Sequence, residues 1–172
     1  MPPKLEIATL NGLDAQAFAG ALGHVFEHAP WVAERVAGRR PFADRDALHQ
    51  AMTDVVRTAS AEEQEKLICS HPELAGKAAI ARDLTPDSAR EQSGAGLDRL
   101  TRAEYERFHV LNSAYRRKFG IPFIMAVKGR TKDEILAAFG RRLDNERDAE
   151  FATALEQIGR IAAFRLAELV DN

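Results

Sequence analysis

Cysteine is almost missing: the chain of 172 residues holds one, Cys69. A single thiol excludes an internal disulfide and every metal centre built from several cysteines. Its apolar neighbourhood favours a buried structural thiol over a nucleophile. A surplus of one charge sign is missing too, since 24 Lys and Arg stand against 26 Asp and Glu for a net charge of −2. Nucleic acids and anionic membranes both favour a clustered basic face, so neither is expected as a partner. The tightest basic cluster, Arg116-Arg117-Lys118, falls where a helix is predicted to end, and cations suit that end of the dipole. No apolar run approaches the ~20 residues of a membrane span. No charged-then-apolar leader opens the chain, and Leu169-Val170-Asp171-Asn172 is not a peroxisomal address. A soluble cytoplasmic protein is the expectation.

Strand signals are equally scarce. Only Ile121-Pro122-Phe123-Ile124-Met125-Ala126-Val127 reads as one; it has no partner of similar character, and Pro122 weakens it. It is therefore expected to be an extended or irregular apolar segment between helices. Elsewhere the apolar residues recur at helical spacing. A first helix is predicted from about Leu13, burying Phe18, Leu22, Val25 and Phe26, until Pro30 interrupts it and opens a second through Trp31, Val32 and Val36. Asp44 can cap a third, carrying Leu48, Met52, Val55 and Val56. Ser60/Glu63, Thr101/Glu104 and Thr131/Glu134 have capping-box spacing, and Thr85-Pro86 opens a short helix. Gly120 suits the left-handed position that closes the helix begun at Thr101, and a last long helix starts near Asn145. The reading is all-α: one compact domain over residues 1–172, with roughly seven to nine helices.

Two segments carry candidate chemistry. In His71-Pro72-Glu73-Leu74-Ala75-Gly76 the proline is pre-set for a first helical turn, which would place His71 at a helix mouth. In Ser88-Ala89-Arg90-Glu91-Gln92-Ser93-Gly94 the i, i+3, i+4 spacing puts Ser88, Glu91 and Gln92 on one helical face. An imidazole and a carboxylate are tools for moving protons near neutral pH. Each also has a plainer reading: His71 as a helix cap, Glu91 as a solvated carboxylate beside Arg90. On the last helix Phe151, Leu155, Ile158, Ala162, Leu166 and Leu169 form an apolar stripe, and Arg165 falls inside it. A guanidinium there must be paired with a core carboxylate, snorkel to the edge, or grip an anionic ligand.

Two other motifs lead nowhere. His24-Val25-Phe26-Glu27-His28 matches the spacing of a zinc peptidase class, but the wheel turns it toward solvent, Pro30 ends the helix, and no further ligand follows. No metal site is expected. Gly94-Ala95-Gly96 lacks both the preceding strand and the third glycine of a dinucleotide loop.

Together with Phe26-Glu27-His28-Ala29-Pro30-Trp31-Val32-Ala33, Leu111-Asn112-Ser113-Ala114-Tyr115-Arg116-Arg117-Lys118-Phe119-Gly120-Ile121-Pro122-Phe123 and Phe164-Arg165-Leu166-Ala167-Glu168-Leu169, these segments resemble the 2-oxo-4-hydroxy-4-carboxy-5-ureidoimidazoline (OHCU) decarboxylases over nearly the whole chain. The resemblance implies an all-helical, cofactor-free, dimeric carboxy-lyase of urate catabolism that forms (S)-allantoin. It implies His71 and Glu91 as catalytic residues. It implies Pro72, Ser88, Ala89, Arg90, Glu91, Gln92, Phe123, Ile124, Met125, Ala126, Val127 and Arg165 as substrate-binding, around a single cleft. Urate oxidase and hydroxyisourate hydrolase are the implied pathway neighbours. The rival readings are a helical interaction module of the same fold without activity, and a lyase for a related ureide anion.

Overall fold

The computed structural model describes residues 3–172, and ten helices and two very short strands occur among them. The chain divides into two compact units. The first holds the described residues up to Leu67 together with Gly159–Asn172, the second Ile68–Ile158. Among the described residues no helix is long and apolar enough to cross a membrane.

The first unit begins with β1 (Leu5–Glu6) and α1 (Ile7–Gly12), followed by α2 (Ala15–Leu22), α3 (Trp31–Ala37) and α4 (Arg45–Arg57). It takes most of α5 (Ala61–Ser70), the final turns of α10 (Arg147–Leu169), and β2 (Val170–Asp171). β1 and β2 pair in parallel, Leu5 opposite Val170 and Glu6 opposite Asp171. Asp14 and Asp44 cap α2 and α4 by accepting from the N–H of Ala17 and Ala47, which satisfies donors a helix start otherwise leaves open. The core here is Leu10, Phe18, Leu22, Val32, Val36, Leu48 and Met52, all essentially fully buried.

The second unit holds the start of α10, α6 (Lys77–Ile80), α7 (Pro86–Gly94), α8 (Arg102–Phe119) and α9 (Lys132–Leu143). Thr101/Glu104 and Thr131/Glu134 form complete reciprocal capping boxes at α8 and α9. In the first unit the Ser60 and Glu63 pair does the same for α5. Gly120 closes α8 at φ 73°, where a side chain would be strained. An aromatic cluster forms the heart of this unit: Phe123 stacks on Phe139 at 3.7 Å between ring centroids, and Tyr115 meets Phe123 edge-on at 5.3 Å.

Residues 121–127 contain no strand, as the missing partner and Pro122 predict. Three local expectations are corrected. α2 stops at Leu22, eight residues before Pro30, and Val25 and Phe26 reach the core from turns, with His28 left-handed at φ 50°. Helical spacing of apolar residues therefore outlasted the helix itself. Cys69 is exposed, because α5 buries Leu67 and Ile68 and turns the next position outward. The helix count exceeds the expected range because α1 and α6, of 6 and 4 residues, are too short to show a period.

Candidate active site

His71 is 7% exposed and follows the end of α5, its N–H donating to the carbonyl of Ile68. It does not stand at a helix mouth, for residues 71–76 form an irregular turn and the next helix opens only at Lys77. Side chains distant in sequence hold that turn. Gln92 on α7 accepts from the Ala75 N–H at 3.0 Å and donates to the Glu73 carbonyl at 3.3 Å. Asn112 on α8 donates to the Leu74 carbonyl at 2.8 Å. These amides compensate a strained backbone, with Ala75 left-handed at φ 51°. Gly76 is required by contact: a Cβ there would lie 2.8 Å from that of Glu73. Asn112 Oδ1 is buried without a hydrogen-bond partner among the described residues.

α7 begins at the Thr85 cap, whose hydroxyl accepts from the Ser88 N–H, with Pro86 in the first turn. Ser88 and Gln92 are buried and Glu91 is half-buried, so the predicted face exists. Ala89 and Arg90 are exposed. Arg90 pairs with Asp87, and Ala89 borders a cavity of about 760 Å³ shared with Ala75, Gln92, Leu97 and Tyr105. Neither His71 nor Glu91 is among the residues lining that cavity. Pro72 is half-buried in the turn beside His71.

Of the extended segment, Phe123, Ile124, Ala126 and Val127 are buried and Met125 is half-buried. The Phe123 ring is enclosed by Tyr115, Phe139 and Arg142, so what it can offer a ligand is its backbone. The Ile124 carbonyl accepts from Arg142 Nη1 at 2.6 Å, and the Ala126 N–H donates to Gln157 Oε1 at 3.0 Å. Among the described residues no other hydrogen bond meets the backbone of residues 122–126. Buried backbone groups in that condition are available to a polar ligand or to water.

Arg165 lies in the first unit, 6% exposed. Its Nη1 is 2.8 Å from Glu27 Oε2 and donates to the His24 carbonyl at 3.4 Å. The core carboxylate that such an arginine needs is thus Glu27, 2% exposed, in the stretch expected to face solvent. Only the flanking His24 and His28 are exposed. The helical wheel misplaced Glu27 because the chain there is not helical. Among the described residues no three His, Cys, Asp or Glu groups gather as a metal centre requires.

Comparisons with known proteins bear on this arrangement. The sequence model of the OHCU decarboxylase family matches residues 11–167. A 2-oxo-4-hydroxy-4-carboxy-5-ureidoimidazoline decarboxylase of Haloferax volcanii is 44% identical over 165 residues, 96% of this chain and 96% of that protein. A uric acid degradation bifunctional protein of Bacillus subtilis is 47% identical over 95% of this chain, which spans only 32% of that longer protein. Among solved structures, an (S)-allantoin synthase superposes with a TM-score of 0.79 at 33% identity, over 97% of this chain and 55% of that one.

Proposed function

We infer that this chain, which belongs to the OHCU decarboxylase family, catalyses decarboxylation of 2-oxo-4-hydroxy-4-carboxy-5-ureidoimidazoline to (S)-allantoin in urate degradation. The observation that carries the reading is the end-to-end match with the Haloferax volcanii decarboxylase, 96% of each chain. The substrate makes the chemistry tractable. Breaking the C4–CO2 bond releases an electron pair that flows through C5 onto the ring nitrogen of the C5=N bond, so the substrate is its own electron sink. The ring nitrogen gains a proton and CO2 departs. The resulting enol then loses the 4-hydroxyl proton and gains one at C5. Delivery to one face of C5 gives one hand of allantoin.

His71 and Glu91 are the residues we assign to that proton traffic. Imidazole changes charge near neutral pH and carries two nitrogens that donate or accept by turns. The support is that His71 is buried at the start of a turn braced by two amides, while Glu91 shares a helix face with the buried Ser88 and Gln92. Ser88, Ala89, Arg90, Glu91 and Gln92 on α7 are assigned to the ureido and ring polar atoms, Pro72 lines the pocket, and Phe123, Ile124, Met125, Ala126 and Val127 supply its wall through their backbone groups. Arg165 is assigned to the substrate's negative charge, its planar five-donor fork oriented by Glu27. The same proposal includes a homodimer acting in the cytoplasm after urate oxidase and hydroxyisourate hydrolase.

The test is to generate the substrate in situ with those two enzymes, add this protein, and follow substrate loss and product circular dichroism. Accelerated loss with one-handed allantoin is expected. Loss at the spontaneous rate, giving racemic product, would overturn the assignment.

A further inference from the structure

Among the described residues the segment at 121–127 has no neighbouring strand, which is what normally fixes a chain that is not helical. In an extended chain the N–H and C=O of alternate residues point to the same edge. Two helix side chains occupy one edge here. Arg142 on α9 donates to the Ile124 carbonyl at 2.6 Å, and Gln157 on α10 accepts from the Ala126 N–H at 3.0 Å. By that alternation the N–H and C=O of Phe123 and Met125 belong to the other edge, and they meet no hydrogen bond among the described residues.

Arg142 is itself tightly held. Its Nε donates to Glu150 Oε2 at 2.8 Å, its Nη2 reaches the Tyr115 hydroxyl at 3.4 Å, and its guanidinium lies 4.3 Å from the Phe123 ring centroid. Glu150 is completely buried and also accepts from the Tyr115 hydroxyl and from Asn145 Nδ2. Burial, and then the bond to Glu150, push the Tyr115 phenol well above its ordinary range, so it stays a donor. A buried ion pair is weak support for stability, because a well-packed apolar replacement often does as well. What this pair does specifically is aim a planar cation at one carbonyl of the segment.

We propose that Arg142, oriented by Glu150, and Gln157 are positioning residues that take the place of a sheet partner and fix which edge of residues 123–125 is presented to the ureide substrate. The proposal rests on the assignment of this segment to substrate binding made above. A ureide is itself an alternating row of N–H and C=O groups, so a fixed backbone edge whose own N–H and C=O groups are not bonded among the described residues is its natural complement.

The test uses the whole protein. Gln157→Leu removes the acceptor, Gln157→Glu keeps one, and Arg142→Lys keeps the charge while losing the fork. Substrate made in situ supplies kcat and KM, and hydrogen exchange reads the peptide spanning 121–127 independently of activity. Misplacement of a reacting group by about 1 Å can cost ~100-fold. Gln157→Leu and Arg142→Lys are therefore expected to lose roughly 10- to 100-fold in kcat/KM, mainly through KM, with an unchanged pH profile and faster exchange in the segment. Gln157→Glu recovers most of the loss. A folded Gln157→Leu protein with wild-type kcat and KM, whatever its thermal stability, overturns the proposal, as does unchanged exchange in the segment. A wild-type protein that turns over nothing would instead sink the assigned reaction, and the exchange measurement would still judge the brace.

Discussion

Replacing Glu27 with leucine removes the carboxylate that faces Arg165 at 2.8 Å, in a pair whose side chains are 2% and 5% exposed. Breaking a buried pair from one side costs about 3–5 kcal/mol, because a charge stays behind in a poorly solvating place. Domains are stable by only about 5–15 kcal/mol in total, so the loss is a large fraction. At about 2–4 °C per kcal/mol for a chain of this size, the melting temperature should fall by about 6–20 °C. The carbonyl of His24 also accepts from Arg165, but being uncharged it does not replace the carboxylate. The double variant Glu27→Leu/Arg165→Met removes both charges and should recover most of the lost stability. Urea denaturation followed by the fluorescence of Trp31, the only tryptophan, reports on the same unit. A single variant costing less than about 1 kcal/mol, or a double variant as weak as the single, would contradict a buried charge pair between Glu27 and Arg165 as the source of the stability.

Gln92→Leu should destabilise more than Asn112→Leu, at about 1–3 kcal/mol for buried groups deprived of partners. Gln92 makes two bonds to the His71 turn, whereas Asn112 makes one and keeps a buried oxygen with no partner among the described residues; equal losses in chemical denaturation would contradict this. Gly120→Ala should cost about 1–2 kcal/mol from left-handed strain alone, since a Cβ there would meet nothing within 4 Å; a neutral result in the same assay would contradict it. The Glu63 carboxyl is lowered from 4.5 to about 2, chiefly by its bond to the Arg35 guanidinium. A depressed acid stabilises the fold above its unfolded pKa, and that contribution disappears as pH falls from about 4.5 toward about 2. Glu63→Gln should therefore flatten the acid limb of the stability profile in that window, and an unaltered limb would refute the pairing.

What could be read from the chain was mostly local. The Thr101 and Thr131 boxes, the Asp44 cap, the Thr85-Pro86 start and the Gly120 stop all depend on residues within one or two turns of each other, and each is present. The 121–127 segment was legible through an absence, there being nothing for it to pair with. Long-range bonds were not legible. The turn after His71 is set by Gln92 and Asn112, 17 and 38 positions from the groups they bind, so Pro72 alone misled toward a helix start. Glu27 was assigned to solvent because periodicity was extended through turns. Arg142, Glu150 and Gln157 were missed because an arginine, a glutamate and a glutamine on amphipathic helices look like ordinary surface residues. The pairing of Leu5 with Val170 joins the two ends of the described chain, with no local signal at either.

The assignment of proton transfer to His71 and Glu91 is tested by the handedness of the allantoin that His71→Ala and Glu91→Ala proteins form. Both should keep the far-ultraviolet spectrum of the parent. Each should leave only slow conversion to product without net optical activity. Rapid formation of (S)-allantoin at the parental rate by either variant would contradict it.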